Sequence, residues 1–475
     1  MERVDLIALL PIVIMGTTSV VVMIVTAFCR RYGLTTGLAL AGEVIALASI
    51  SLASSYAPRQ VTPLLIVDRY GLLLTAILLT AGIAVLALSH GYLRTMPGNR
   101  EEFHLMLLLA TLGSIVLVSS SHFASFFVGL EILSVSLYVL IAYPMRNRSL
   151  EAGLKYLILA GASSAILLFG IALEYAALGT MSFKQMAANA TGPSVLLLAG
   201  FALILSGLGF KLALVPFHMW TPDIYEGAPA PVTAFIATVS KGAVFGFLLR
   251  YFTSMHGYTE GSLFVILTAV SIASMAIGNL LALMQNNVKR ILAYSSIAHL
   301  GYLLVAFLSS GDSGVSASIF YLVSYFIGVM TTFGIVTLLS RVERDADGIE
   351  DYRGLFWRRP WLAAAFTASL FSLAGIPLTV GFVGKFYLLA AGVGSALWLL
   401  VVVLVITSVI GLFYYLRIIV ALYSPVPSET GAKVLPLSPA MAWLGGLVVA
   451  ALMILLVWFG IYPSTILQAL QQTLL

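Results

Sequence analysis

The chain has 475 residues, of which 61% are hydrophobic and only 9% charged, with a formal net charge of +5. Repeated runs close to the roughly 20 apolar residues needed to cross about 30 Å of hydrocarbon mark it as an integral membrane protein. Its basic residues lie in short loops between those runs, which argues against nucleic-acid binding, and its one cysteine, Cys29, excludes an internal disulfide or a cysteine-ligated iron–sulfur cluster.

About fourteen spans are predicted, near 5–28, 34–54, 70–92, 103–119, 121–143, 155–178, 195–224, 230–252, 261–284, 290–309, 316–340, 361–389, 396–423 and 440–462. The first run is too long for a signal-peptide core, and Arg30 and Arg31 follow it, so it is read as a retained span. The second span carries Glu43 at its centre, which is expected to meet a polar residue of a neighbouring helix or another subunit. The fifth, in FFVGLEILSVSLYVL, places Glu131 near the midplane, where a carboxylate needs a cationic partner. In the sixth, Lys155 is expected to anchor the bundle at one surface and Glu174 to reach the interface at the other.

The seventh segment is too long for a simple span and contains a breaker, Pro216, which has no N–H and crowds the carbonyl of Leu212. Lys211 lies five residues before that proline and is the partner expected for Glu131. The pair is either switchable, its opening pushing the lysine's proton onward, or a static structural tie. His218, two residues beyond Pro216, either joins a water network or binds a freed carbonyl. Asp223 and Glu226 flank GAPAP; they gather protons at an entrance or belong to a solvated loop.

Lys241 sits mid-way along the eighth span among small residues that leave room for water around its ammonium. Charged residues at a helix centre cost roughly 2.5–3.5 kcal/mol on insertion scales and usually mark an ion pathway, though a tether to a backbone carbonyl is the alternative here. In the tenth span, His299 can relay protons or serve structure, while Tyr294, Ser295, Ser296 and Tyr302 either line the route or pack. The connector RVERDADGIEDYRGLFWRRP reads as a solvated charge run. The twelfth segment is again overlong and is loosened by Gly375, Pro377, Gly381 and Gly384; Lys385 follows, as an exit-side proton group or a snorkelling side chain. Arg417, late in the thirteenth span, is expected to anchor the bundle.

Strict alternation puts sixteen of the 24 Lys and Arg residues on one side, including Arg30, Arg94, Arg148, Lys289, Arg290 and Lys433, and five on the other. By the positive-inside rule the sixteen face the cytoplasm and both termini face away from it. The paired breaks, five spans apart, fit inverted repeats made of spans four to eight and nine to thirteen. The expected fold class is therefore an all-α polytopic membrane protein with about 14 transmembrane helices and broken helices 7 and 12. The expected divisions are 1–100 (helices 1–3), 101–255 (first repeat), 256–425 (second repeat) and 426–475 (helix 14).

The segments GLEILSVSLYVL, GFKLALVPFHMWTPDIYEGAPAPVTAF, NNVKRILAYSSIAHLGYLL and SLAGIPLTVGFVGKFYLL closely resemble the antiporter-like subunits of proton-pumping NADH:quinone oxidoreductase (respiratory complex I) and of multisubunit sodium/proton antiporters. The resemblance covers nearly the whole chain. TPDIYEGAPAPVTAF and the lysine of GKFY resemble the bacterial N-type branch of that family more than the M-type, which usually has glutamate at the later position. The resemblance implies a proton pathway through Glu131, Lys211, Lys241, His299 and Lys385, with His218, Tyr294 and Tyr302 as possible accessories; Glu43 and Glu174 are not among the family's relay positions. It implies no catalytic, cofactor-binding or metal-binding residue in this chain; NADH, FMN, iron–sulfur clusters and quinone would belong to other subunits. It also implies a bacterial cytoplasmic (inner) membrane location, membrane lipids around the bundle, subunits K and M as flanking neighbours, and A, J, L and H in the same assembly. Two rival readings are a sodium/proton antiporter subunit without electron transfer and a passive scaffold of the membrane arm.

Overall fold

The computed structural model describes residues 2–474 except 95, 97, 190–193, 256–260, 310, 342–343 and 426–438. Lys433, expected on the basic side, lies outside the described residues. Among these residues, thirteen helices are long and apolar enough to cross a membrane, from Leu10–Phe28 to Trp443–Ile461, and two shorter apolar helices are Pro360–Ala374 and Val380–Gly394. The short pair occupies the twelfth predicted segment, so each of the fourteen predicted spans is matched, thirteen by a long helix and the twelfth by the short pair.

Both predicted breaks are present, and each has a local cause. The helix Val195–Leu212 ends where Ala213 takes a left-handed conformation at φ 60°, so the chain leaves the helix three residues before Pro216. After a tight turn it resumes as Trp220–Gly227. In the second break Pro360–Ala374 ends on Gly375 at φ 87°, a conformation that glycine adopts at no steric cost. Thr379 then caps Val380–Gly394 by accepting from the Phe382 N–H.

The interior is formed by three helices that are almost wholly covered: Ala230–Thr253, Val288–Leu308 and Ser313–Leu339. The outer helices, such as Trp398–Tyr423, bury only one stripe and turn Val and Leu outward, as lipid-facing helices should. Close helix crossings are built at paired glycines: a Cβ on Gly113 would fall 2.7 Å from the Gly129 carbonyl, and one on Gly170 would fall 2.8 Å from that of Gly200.

Basic residues assigned to one side gather there. Arg290 binds Asp223 and Glu226, both at 2.9 Å; Lys155 binds Asp223 at 2.9 Å; and Arg148 reaches Glu226 and Asp347. Asp223 and Glu226 are thus members of an ion-pair network, not of a freely solvated loop. The connector after Leu339 also differs from a solvated charge run. Its Asp345 binds Lys289 at 2.6 Å, and that lysine side chain is fully buried, with Glu226 and Ala228 carbonyls as its other acceptors. The charge pattern concealed this because acidic residues of the connector answer cations on distant helices. At the other face Arg59 binds Glu2 and Asp5, and Arg250 binds Asp68.

Candidate functional site

Lys211, Lys241 and Lys385 are all buried, the second to 1% exposure. None of the three ammonium groups forms an ion pair among the described residues, so each relies on neutral acceptors. A buried cation held by neutral acceptors alone is expensive in hydrocarbon.

Lys211 ends the helix Val195–Leu212 immediately before the first break, and its Nζ donates to Ser134 Oγ at 2.8 Å. Ser134 is one turn beyond Glu131 on the helix Phe123–Ala142. Glu131 itself accepts from Ser164 Oγ at 2.6 Å. The expected ion pair is therefore open at this point: lysine and carboxylate, on different helices, are held by separate serines. Tyr156 lies beneath Lys211, its ring centroid 6.0 Å from Nζ.

Lys241 begins the helix Lys241–Met255 directly after a π-helical stretch, Ile236–Ser240. Such a bulge shifts the side chains that follow it around the helix and frequently accompanies a functional site. Lys241 Nζ donates to Ser296 Oγ at 2.7 Å, Ser296 meets the Tyr325 hydroxyl at 2.7 Å, and the Tyr225 hydroxyl stands 3.4 Å from the same oxygen. The Tyr225 ring centroid is 5.5 Å from the ammonium.

His299 is one turn beyond Ser295 and Ser296 on Val288–Leu308. Its Nδ1 is 2.6 Å from the Tyr321 hydroxyl and its Nε2 3.2 Å from that of Tyr415, which also bonds Ser295. Both ring nitrogens are thus engaged with groups that donate and accept, the arrangement a relay requires. Tyr302 accepts from Asn279 Nδ2 at 2.9 Å, and Tyr414 donates to the other end of the same amide at 3.1 Å. The Tyr302 ring centroid is 5.3 Å from Lys385 Nζ.

Lys385 faces inward, which removes the snorkelling alternative. Its Nζ donates to the Ala374 carbonyl at 2.8 Å and to Ser408 Oγ at 2.7 Å. Ala374 ends the first half of the broken twelfth segment, so the break supplies the acceptor. A Cβ on Gly375 would come within 2.8 Å of the lysine Cδ, so this glycine provides both the turn and the path for the side chain.

Two accessory residues are less engaged. His218 is buried beside the Pro216 carbonyl at the break, without a well-aligned hydrogen bond from either ring nitrogen. Tyr294 is buried, but none of the hydrogen bonds of the described residues involves its hydroxyl. Glu174 departs from expectation: it is fully buried and accepts from Tyr251 OH at 2.6 Å, because Tyr251 on the neighbouring helix supplies inside the bundle the donor that the interface would otherwise provide. Tyr225, Tyr321, Tyr325, Tyr415 and Asn279 escaped sequence reading, since lone tyrosines in apolar spans are ordinary packing residues and only the fold gathers them around His299.

Residues 120–411, more than half of the chain and all of this row of lysines, match the family described as NADH:quinone oxidoreductase/Mrp antiporter, TM. The chain belongs to that family. Among its curated relatives, NADH-quinone oxidoreductase subunit N of Nitrosospira multiformis is 49% identical, covering 99% of this chain and 96% of the relative. Subunit N of Methylococcus capsulatus is 47% identical, with 97% and 94% covered. A chain of respiratory complex I from Thermus thermophilus, solved with bound aureothin, superposes with a TM-score of 0.83 at 33% identity, covering 97% of this chain and 99% of that one. The Mrp complex from a Dietzia species gives a TM-score of 0.88 at 22% identity over 100% and 97% of the two chains, a likeness of fold.

Proposed function

We propose that this chain is a proton-translocating subunit in the membrane arm of an NADH:quinone oxidoreductase, of the N type. One observation carries the reading: Lys241 and Lys385, buried without carboxylate partners, flank a set of buried hydroxyl, amide and imidazole groups centred on His299. Each hydroxyl in that set can both donate and accept, so rotation of these groups, with water between them, gives a proton leaving one lysine acceptors on the way to the other. Lys211, held by Ser134 beside Glu131, is placed to close onto the carboxylate and so change the field felt by Lys241. The chain performs no covalent chemistry; NADH oxidation and quinone reduction, with FMN and iron–sulfur clusters, belong to other subunits.

The near full-length likeness to curated N subunits supports the assembly context, with K and M as flanking neighbours and A, J, L and H in the same complex, embedded in bacterial inner-membrane lipid. The basic cluster around Arg290 and Arg148 supports a cytoplasmic assignment for that face and termini on the opposite side. Residues 1–100 and 426–475 would flank the two repeats at 101–255 and 256–425.

The test is to isolate the tagged chain from its native membrane in mild detergent, measure NADH:quinone activity, and then measure NADH-driven pumping for Lys241→Ala in the assembled complex. Co-isolation with an active NADH-oxidising assembly and loss of pumping in the variant are expected. Sodium-stimulated flux without NADH would move the chain to the antiporters, and normal pumping by Lys241→Ala would make it a scaffold.

A further inference from the structure

The N-terminal helices, outside the segment that carries the lysine row, contain an unusual set of buried polar atoms. Glu43 is the twelfth residue of the 23-residue helix Tyr32–Ser54, hence at mid-depth, and is 0% exposed. Neither of its carboxyl oxygens has a hydrogen-bond partner. Both lie against Gly82 of the helix Arg69–Leu93, where an added Cβ would sit 3.0 and 3.1 Å from them. The glycine therefore makes the space that the carboxyl fills.

Two turns nearer the basic face, on the same side of Tyr32–Ser54, Thr36 Oγ1 is 3.2 Å from Nε2 of the fully buried His104. The other ring nitrogen of His104 is unpartnered, as is Nδ1 of His90. Tyr32 joins the two histidines: its ring stacks on His90 at 5.0 Å and meets His104 edge-on at 5.4 Å, and its hydroxyl donates to the His90 carbonyl. Arg100 covers the Tyr32 ring at 5.4 Å, and Arg30 binds Glu102 at 3.0 Å at the same end. Histidines thus lie beneath a solvated rim, and a bare carboxyl lies about 10 Å deeper along the helix, at 1.5 Å per residue from Thr36.

We propose that Glu43 is a proton-binding site separate from the lysine row, loaded from the face that carries Arg30 and Arg100 by way of His104 and Thr36. An ionised carboxylate with no donor and no cation in hydrocarbon is costly by several kcal/mol, whereas the carboxylic acid is tolerated there. No charged group offsets that cost. The helix Leu10–Phe28 carries no titratable residue; Arg3 and Asp5 of Arg3–Ala8 lie at the far end; Arg69, Tyr70, His90 and Tyr92 lie near the ends of Arg69–Leu93; and Glu101, Glu102 and His104 lie at the start of Glu101–Val118. From that last helix Thr111 is the one polar group that reaches Glu43; its hydroxyl donates to the Leu107 carbonyl at 2.9 Å in this structure and is the only donor that could turn to the carboxyl among the groups named above. In the loading step a proton from water at the rim binds the free nitrogen of His104, the imidazole passes its other proton to the Thr36 hydroxyl, which gives up the one it donates to the Tyr32 carbonyl, and water entering the bundle carries that proton the remaining distance of about 10 Å to the carboxylate; the site then stores a neutral acid.

The proposal is tested by infrared difference spectroscopy on the intact membrane complex. The carbonyl band of a protonated carboxylic acid is expected in the native protein and absent in Glu43→Gln. Its deuteration in heavy water is expected to slow by about tenfold or more in His104→Leu, equivalent to at least about 1.4 kcal/mol on the transfer barrier. Should Glu43→Gln not assemble, Gly82→Ala retains the acid but crowds both oxygens, and a displaced band is then the expected result. A spectrum unchanged by both Glu43→Gln and Gly82→Ala overturns the site, and deuteration indifferent to His104→Leu overturns the loading route.

Discussion

Lys241 and Ser296 are joined by a 2.7 Å hydrogen bond that ties the helix following the π-helical stretch to the helix that carries His299. The serine is the only neutral acceptor bonded to that ammonium among the described residues, and it passes the contact on to Tyr325. Hydrogen bonds to charged groups are worth about 1.5–3 kcal/mol, so removing this one should cost roughly tenfold or more in proton transfer. Ser296→Ala is expected to assemble and to slow NADH-driven pumping accordingly, while Ser296→Thr, which keeps the hydroxyl, retains most of the rate. Acidification of inside-out vesicles under limiting NADH would read both variants.

Ser134 holds Lys211 one turn away from Glu131. If the separated arrangement is one of two working positions of the lysine, Ser134→Ala biases it toward the carboxylate and Glu131→Ala abolishes the alternative position. Both variants should assemble, and both should lower pumping, with the double variant no worse than Glu131→Ala alone because the two changes act on one movement. Strictly additive losses, measured as the logarithm of the pumping rate, would show that serine and glutamate act independently.

Much of this architecture is legible in the chain because hydrocarbon imposes length and forbids unpaired backbone, so apolar runs, prolines and glycines report spans and breaks directly. Lys211, Lys241 and Lys385 are conspicuous for the same reason: a cation in an apolar run has no ordinary explanation. The acceptors that hold them are not conspicuous. Ser134, Ser296 and Ser408 are unremarkable residues in helices, and Tyr321 and Tyr415 by hydrogen bonds and Tyr325 by ring contact converge on His299 from two helices far apart in sequence. The placement of Glu174 is not legible in the chain because position along a span gives depth but not the direction of a side chain, which here points to Tyr251.

Asp68 and Arg250 make two hydrogen bonds, both at 2.7 Å, between the start of one helix and the far end of another. Burial pushes the Asp68 carboxyl up, but the guanidinium and the Gly71 N–H overcome it and hold the group below the usual carboxylate range. A folded-state value below the unfolded one contributes stability at neutral pH that disappears as pH falls through the lowered value. The contribution should therefore be complete above about pH 5 and vanish only in the strongly acid range below the ordinary Asp value of about 3.9. Asp68→Asn keeps the N-cap oxygen but discards the charge, leaving Arg250 without its carboxylate. It is expected to cost about 3–5 kcal/mol at neutral pH and to flatten the acid limb of the thermal-stability profile. An unchanged acid limb in Asp68→Asn would mean that other carboxylates set it.

Gly375 carries two duties that a single methyl group would violate. Its φ of 87° is left-handed, which costs a residue with a Cβ roughly 1–2 kcal/mol, and the new carbon would stand 2.8 Å from the Cδ of Lys385. Gly375→Ala should thus push the lysine off the Ala374 carbonyl and Ser408 without removing any proton-carrying group. Lys385→Ala removes the carrier and also leaves the Ala374 carbonyl without its donor. If Lys385 carries protons, Lys385→Ala abolishes pumping in the assembled complex, whereas Gly375→Ala lowers it in proportion to the displacement and also reduces thermal stability. Lys385→Glu, which restores a titratable group, should then recover more flux than Lys385→Ala. Equal rates for the alanine and glutamate variants, at equal assembly, would make Lys385 a structural tether between the two halves of the break and Trp398–Tyr423.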